Sequence, residues 1–295
     1  MNLRNFIFRF TRKYMRFLPD STYLRLQYWG FTGRKLNLRN PRRFTEKIQW
    51  LKIHDRKPVH TDMVDKAKAK DWVKSRIDSK YLIPTIGVYD SWEAIDFSRL
   101  PQRFVIKTTH GGGSTGVVVV ENKAKLNHAN ARQKIIHSLA NQKATPVLRE
   151  YQYKNIEGRI LIEQYVEPDL KGDLEDYKFF CFNGEPRFCQ VIRDRNTQET
   201  IDFYDMNWQH QPFVGLNPDV SHGATPVAKP ECLEEMIDIC RKLSKDEKFL
   251  RVDLYYAGGK ILFGEVTLHP ATGLGFFNPD EYDLILGDLL DLNKN

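Results

Sequence analysis

Cysteine is scarce in this 295-residue chain, and its placement excludes the usual cysteine chemistries. Cys181 and Cys189, like Cys232 and Cys240, stand eight positions apart, a spacing that suits neither a zinc knuckle nor a redox dithiol. All four read as reduced, partly buried thiols. Long apolar runs are also missing. Phe6-Ile7-Phe8 is cut off by Arg9, far short of a signal-peptide core, and nowhere do about 18 apolar residues follow one another. A cytoplasmic protein is therefore expected. There is no internal repeat, no low-complexity linker, no H-E-x-x-H zinc pattern and no G-x-S-x-G nucleophile frame. No DNA- or RNA-binding signature accompanies the basic residues, so nucleic acid is not expected as a partner.

Apolar and charged fractions of 41% and 28% are those of an ordinary globular protein, long enough for one large or two ordinary domains. The net charge of +7 is unevenly spread. Residues 1–57 hold 15 Lys and Arg against Asp20, Glu46 and Asp55, a balance of +12, which leaves −5 for the remainder. At the start, Phe6, Phe8, Phe10, Tyr14, Phe17 and Leu18 are interleaved with Arg4, Arg9, Arg12, Lys13 and Arg16. Such a segment suits an anionic membrane surface or another polyanion; the plainer alternative is a basic helix packed on its own protein with snorkelling arginines.

Two hairpins carry the chemistry. From Arg251 to Thr267 two apolar-polar alternating runs flank Gly258-Gly259. Asp253 and Glu265 lie equally far from Gly259, as do Arg251 and Thr267, so a turn keeping that register puts all four on one face and Val252, Leu254 and Val266 on the other. Opposed carboxylates about 5 Å apart repel unless a cation lies between them. A divalent ion such as Mg2+ fits, with Arg251 beside it to hold a phosphate tail. The other hairpin joins Phe104-Val105-Ile106-Lys107-Thr108-Thr109-His110 to Val117–Val120 through Gly111, Gly112, Gly113, Ser114, Thr115 and Gly116. A dinucleotide fold needs such glycines between strand and helix, and here strand follows. Protein kinases are excluded because H-R-D and D-F-G are absent and Lys107 precedes the glycines. What remains is a hairpin tip folding over phosphates, with backbone N–H groups and Ser114 or Thr115 as donors. Lys107, in an apolar strand, calls for an anionic partner, which an α- or β-phosphate would supply.

Elsewhere the pattern is helical over residues 1 to about 80 and between about 127 and 150, with strands at Ile160–Val166 and Tyr177–Phe182. Pro230 opens a helix with the apolar stripe Leu233, Met236, Ile237, Cys240 and Leu243, and a last helix near Pro279 to Leu292 offers Tyr282, Ile285, Leu289 and Leu292 for packing. Helices interspersed with hairpins argue for α+β layers.

An early lysine, a lysine before a glycine hairpin, an acidic strand end and a late Asp and Glu pair, in this order, resemble the ATP-grasp fold, two α+β subdomains that grip ATP. Asn40-Pro41, Phe44 to Leu51, Asp65-Lys66, Tyr81-Leu82-Ile83-Pro84, Asp176-Tyr177-Lys178-Phe179, Phe203-Tyr204-Asp205, Arg251 to Tyr255 and Phe263 to Thr267 narrow the resemblance to the TupA-like ATP-grasp proteins of teichuronopeptide and other surface-polysaccharide pathways. It covers nearly the whole chain. It implies a basic helical region at 1–60 and a catalytic region at 61–295, with a glycine-loop subdomain at about 100–168 and a metal-binding subdomain at about 169–295.

For the site, the resemblance implies that Lys66 and Lys107 face ATP phosphates under the loop Gly111–Gly116. Glu163, Gln164, Tyr165 and Val166 form the adenine hinge, and Asp253 and Glu265 bind Mg2+, or Mn2+. Lys178, Arg193 and Arg251 lie near the transferred phosphate. Asp176 is a candidate for the ribose, alongside Asp169 and Asp173. Thr267 stands where the family usually has Asn. The expected reaction is ATP-dependent ligation of a carboxylate to an amine through an acyl phosphate, joining an amino acid to a uronic acid or amino sugar of a bacterial capsular or other surface polysaccharide. His110 and His269 flank the motifs as candidate bases or as structural residues. A glycosyltransferase or sugar kinase of the same pathway and a membrane-peripheral scaffold are the alternatives, with a place in the cytoplasm or at the inner face of its membrane.

Overall fold

The computed structural model describes residues 3–110, 115–141, 147–168, 175–193, 199–217 and 220–294. Five helices come first: α1 Leu3–Tyr14, α2 Asp20–Thr32, α3 Phe44–His54, α4 Val59–Val64 and α5 Ala69–Lys74. Then follow β1 Thr85–Tyr89, β2 Phe104–Thr108, β3 Val117–Val120, α6 His128–Ala140 and β4 Ile160–Gln164. The rest comprises β5 Asp176–Phe182, β6 Glu185–Arg193, β7 Thr200–Asp205, β8 His210–Gln211, β9 Val214–Gly215, α7 Leu233–Ser244, β10 Phe249–Ala257, β11 Lys260–Thr267, β12 Phe277–Asn278 and α8 Glu281–Asp288.

Alternation along β5 and β10 determines what the larger sheet buries. Its six strands run in the order β11-β10-β5-β6-β7-β8, each antiparallel to its neighbour. Tyr177, Phe179, Cys181, Val252 and Leu254 point to one face and pack with Leu233, Met236, Ile237, Cys240 and Leu243 of α7. The opposite face carries Phe180, Phe182, Phe203 and Phe249 at one end, packed with Phe44, Ile48 and Leu51 of α3, Leu286 of α8 and Leu290 just beyond it. Each buried phenylalanine there is worth about 1.5–3 kcal/mol in apolar area. The edge-to-face pairs Phe44–Phe249 and Phe182–Phe249, with centroids 5.0 and 5.3 Å apart, add specificity of geometry. Toward the other end the same face changes from aromatic to charged, at Asp176, Lys178, Arg251 and Asp253.

The smaller sheet, β1-β4-β2-β3, is also antiparallel. Phe104, Ile106, Ile160 and Ile162 meet Ala131 and Ile135 of α6 on its inner face. Period two therefore turns Lys107 of β2 and Glu163 of β4 to the opposite face. Leu82, just before β1, bridges to Phe263 of β11, and the Lys66 N–H donates to Thr109 O at 2.8 Å. These links hold the two sheets against each other with the charged faces between them.

Packing departs from the expected boundaries in three places. The division at residue 60 follows charge, whereas α3 belongs to the core of the larger sheet. Its Glu46 accepts the backbone N–H groups of Asn37, Arg42 and Arg43, and Thr45 donates from its amide and hydroxyl to Asp283 of α8 at 2.9 and 2.8 Å. The helix expected between about 127 and 150 ends at Ala140. In α8, Ile285 is 42% exposed while Leu286, like Leu290 just beyond the helix, is fully buried, because the helix presents the neighbouring stripe to α3. Cys181, Cys189, Cys232 and Cys240 are all free thiols, with only Cys232 partly exposed.

Candidate active site

Glycine chemistry sets the register of the β10–β11 hairpin. Gly258 and Gly259, with φ of 58° and 69°, form a two-residue turn closed by Ala257 and Lys260. Carried outward, that turn alone would set Asp253 against Gly264 and turn Glu265 to the wrong face. A bulge between Asp253 and Leu254 corrects it, so that Asp253 faces Glu265 and Arg251 faces Thr267. The expected opposition of the four residues therefore holds, but through a two-residue turn and a bulge rather than symmetry about Gly259. Gly264 suits the crowded bulge: a Cβ there would lie 3.0 Å from the Tyr255 ring and 3.1 Å from Asp253 O.

Asp253 is the hub of this wall. Arg251 donates to both its oxygens, Nε to Oδ1 at 2.7 Å and Nη2 to Oδ2 at 2.8 Å. Lys178, directly opposite on β5, donates to Oδ2 and lies 2.8 Å from Asp176 Oδ2. Burial by itself would raise the Asp253 carboxyl, but Arg251 and Lys178 together take it below the ordinary carboxylate range. Burial likewise opposes the charge on Arg251, and Asp253 and Glu265 outweigh it. Glu265 is held more loosely, 3.8 Å from Arg251 Nη2 and 3.6 Å from Lys66 Nζ, with a third of its side chain exposed.

The facing wall has the opposite composition. Glu163 is buried, with Oε2 2.8 Å from Lys107 and Oε1 beside Lys70. Lys107 thus has its anionic partner within the chain, a carboxylate where a phosphate was expected. Burial would raise the Glu163 carboxyl; the two lysines outweigh that and lower it. Lys70 is lowered chiefly by its own burial. Its ammonium also donates to Ile83 O at 2.6 Å and Thr85 Oγ1 at 2.7 Å. Lys70 is the site residue that sequence reasoning missed. The signal was its spacing: it follows Lys66 by four positions, and the turn at Asp65–Lys68, closed by the Ala69 N–H on Asp65 O at 2.8 Å and running into α5, brings both to the cleft lined by Lys66, Lys70, Lys107, Glu163 and Glu265.

Other expected residues are placed differently. Arg193 lies across the sheet from Lys178 and Arg251. The Asn183-Gly184 turn pairs Phe182 with Glu185, but a bulge between Phe180 and Cys181 shifts the register, so Lys178 pairs with Gln190 and Arg193 faces the α7 side. There it lies 3.1 Å from Asp202 and donates to Thr225 O at 2.6 Å. His110 Nε2 meets Ser138 O at 3.0 Å and His269 Nδ1 meets the Gln152 amide at 3.1 Å. Both rings are buried, and burial lowers both pKa values, most strongly for His269, which fits interior structural residues. Gln164 is exposed, with its N–H donating to Pro84 O, and Tyr165 and Val166 are partly exposed beyond it. Gly111, Gly112, Gly113 and Ser114, with Asp169 and Asp173, lie outside the described residues. Thr115 and Gly116 are described, and Gly116 O accepts the Thr108 N–H at 3.0 Å.

The donor set fits a hard divalent ion on the larger sheet. Asp253 and Glu265 offer opposed carboxylates, Glu265 the more accessible, while a ligand bond to Asp253 requires Arg251 or Lys178 to yield an oxygen. Two α+β layers gripping a cleft, with lysines on one wall and an Asp–Glu pair on the other, define the ATP-grasp fold of ATP-dependent ligases. The chain belongs to the TupA-like ATP-grasp family, whose model matches residues 46–291.

Among solved structures it is similar to the D-alanine–D-alanine ligase of Bacillus anthracis, at 21% identity over 78% of this chain and 65% of that one, with a TM-score of 0.44. It is also similar to the Helicobacter pylori enzyme of that name (14%, 82% and 68%, TM-score 0.41). A third is phosphoribosylamine–glycine ligase from Thermotoga maritima (15%, 73% and 50%, TM-score 0.43). These likenesses concern the fold. The chain spans 65%, 57% and 63% of the first three solved structures it matches. No curated protein sequence matches it.

Proposed function

We propose that the protein is an ATP-dependent carboxylate–amine ligase that forms an acyl phosphate and joins an amino acid to a uronic acid, or to an amino sugar, of a bacterial capsular or other surface polysaccharide. The observation that carries this reading is the polarity of the cleft, with Lys70 and Lys107 on one wall and Asp253 and Glu265 on the other. A carboxylate and a γ-phosphate are both anionic and must be neutralised before they can approach. Lys66, Lys70 and Lys107 are positioned for the polyphosphate, and Arg251 and Lys178 for the carboxylate and the phosphoryl group it receives. Mg2+ held by Glu265 and Asp253 would contribute charge neutralisation at the phosphates. Tyr153, partly buried and lining the same cleft, would help to exclude water.

The test is incubation with Mg-ATP, a panel of uronic acids and amino acids, and hydroxylamine, which captures acyl phosphates. ADP and hydroxamate appearing together with a single carboxylate support the ligase and identify its substrate. Sugar-dependent ADP without hydroxamate points to a kinase, and sugar-nucleotide binding without ATP binding to a transferase.

The same reading includes a peripheral site at the inner face of the cytoplasmic membrane. One side of α1 packs inward, with Thr11 buried and Phe8 against Gly30 and Phe31. The other side shows Leu3, Phe6, Phe10 and Tyr14 to solvent, with Phe17 beyond the helix end. An exposed aromatic stripe among Arg9, Lys13 and Arg16 matches an anionic lipid surface in both apolar depth and charge. Sedimentation with vesicles containing phosphatidylglycerol should retain the protein, and Phe6→Ser with Phe10→Ser should release it. Equal binding of this variant and the parent would discard the membrane contact.

A further inference from the structure

Asp202 of β7 is 2% exposed and lies on the face of the larger sheet away from the cleft, paired with Val191 of the α7-side core. Its Oδ1 faces two imidazoles, His210 Nε2 at 2.8 Å and His222 Nδ1 at 3.2 Å. Its Oδ2 is held from behind by Arg193 Nη2 at 3.1 Å and the Gly223 N–H at 3.3 Å. The three ligand atoms lie within 4.8 Å of one another. We infer that Asp202, His210 and His222 bind one divalent transition-metal ion, zinc being the first candidate.

Three observations carry this. First, a tetrahedral ion with bonds of about 2.0–2.2 Å needs ligand atoms about 3.3–3.5 Å apart, so small movements from 2.8 and 3.2 Å admit it. Second, the chemistry selects the ion: two imidazoles and one carboxylate suit zinc and its neighbours, whereas Mg2+ and Ca2+ prefer shells of oxygen. The histidines are about one-third exposed, which leaves an entry path and room for a water as fourth ligand.

Third, the ligands sit on segments that are already fixed. His210 on β8 pairs with Tyr204, and Ser221 O accepts the Ile201 N–H at 3.0 Å, which seats His222 beside β7. Tyr204 stacks on Trp208 at 4.5 Å, and its hydroxyl accepts the Val227 N–H at 2.7 Å. A Cβ on Gly223 would meet Arg193 Nη2 at 2.3 Å and Asp202 Oδ2 at 2.9 Å, so glycine permits the approach that orients the carboxylate. A bound ion ties β7, β8 and residues 221–223 together and displaces the protons that the imidazoles share with Oδ1. The comparable group Asp55, His60 and Glu247 carries no such inference, since the Lys57 ammonium lies 3.0 Å from the same Glu247 Oε2 that His60 meets at 2.9 Å, whereas Arg193 takes only Oδ2 of Asp202 and leaves Oδ1 to the histidines.

The experiment uses the untagged, full-length protein stripped with EDTA. Calorimetric titration with ZnCl2 should give one equivalent bound at micromolar or tighter affinity, with a rise in Tm, and millimolar Mg2+ should not compete. His210→Ala and His222→Ala, both at partly exposed positions, should each weaken Zn2+ at least about tenfold while leaving the metal-free Tm near that of the parent. Co2+ should give a visible spectrum of nitrogen and oxygen ligation that the double variant loses. Absence of saturable Zn2+ binding, or binding unchanged in the double variant, overturns the site. Because the readouts are metal affinity and Tm, they are independent of ligase activity.

Discussion

The two walls of the cleft carry opposite surpluses of charge. On the smaller sheet a single carboxylate, Glu163, serves Lys70 and Lys107. On the larger sheet Asp176, Asp253 and Glu265 outnumber Lys178 and Arg251, and Lys66 reaches across to Glu265. A polyphosphate suits the first wall and a divalent cation the second. Each wall also carries counterions of its own, Arg251 and Lys178 on Asp253 and Glu163 between Lys70 and Lys107. The cations on Asp253 and the carboxylate between the lysines offset desolvation that isolated buried charges could not sustain.

This comparison can be broken first at the hub. Asp253→Ala leaves Arg251 and Lys178 without the carboxylate both use, and should cost about 3–5 kcal/mol in urea unfolding along with all turnover. Glu265→Gln, on the same wall but loosely paired and partly exposed, should change stability by less than about 1 kcal/mol. It should still lower the rate of ADP release at least about 100-fold. If both variants cost the same stability, the distinction between structural hub and accessible ligand is wrong. Across the cleft, Lys70→Met should weaken ATP binding about tenfold, roughly 1.4 kcal/mol by equilibrium dialysis. An unchanged affinity would leave phosphate binding to Lys66 and Lys107.

The smallest effect expected is on pH dependence. The folded Glu163 carboxyl titrates below its ordinary value of 4.5, so the unfolded chain takes up its proton first as the pH falls. Its contribution to stability is therefore complete above 4.5 and disappears as the pH falls through the lower folded value. Glu163→Gln should flatten that acid limb in denaturant titrations and leave the slope at neutral pH unchanged. An acid limb identical to the parent's would mean that Lys70 and Lys107 do not hold the carboxylate in solution.

Much of this was legible in the sequence because it is local. Sequence pattern identified the strands β2, β4, β5 and β10, and Gly258-Gly259 identified the turn between β10 and β11. The ATP-grasp class followed from the order in which lysines, glycines and late acids recur. The face on which a residue falls was less secure, and two bulges show why. The one at Gly264 brings Glu265 onto the face of Asp253, while the one between Phe180 and Cys181 takes Arg193 off the face of Lys178. One extra residue in a strand inverts every side chain beyond it, and nothing in local composition announces where it is inserted.

The sequence by itself determined the strands, the turns and the chemical kinds of group available: lysines before glycines, acids late in the chain, an aromatic basic start. Only the tertiary structure decided which of these groups meet. It joined Lys70 to Glu163, gave Arg193 to Asp202, buried α3 among the phenylalanines of the larger sheet, and gathered His210 and His222 around one carboxylate. Strand propensity and turn chemistry act within a few residues, whereas these pairings depend on register and on sheets closing over long stretches of chain, where burial and charge compensation select the partners.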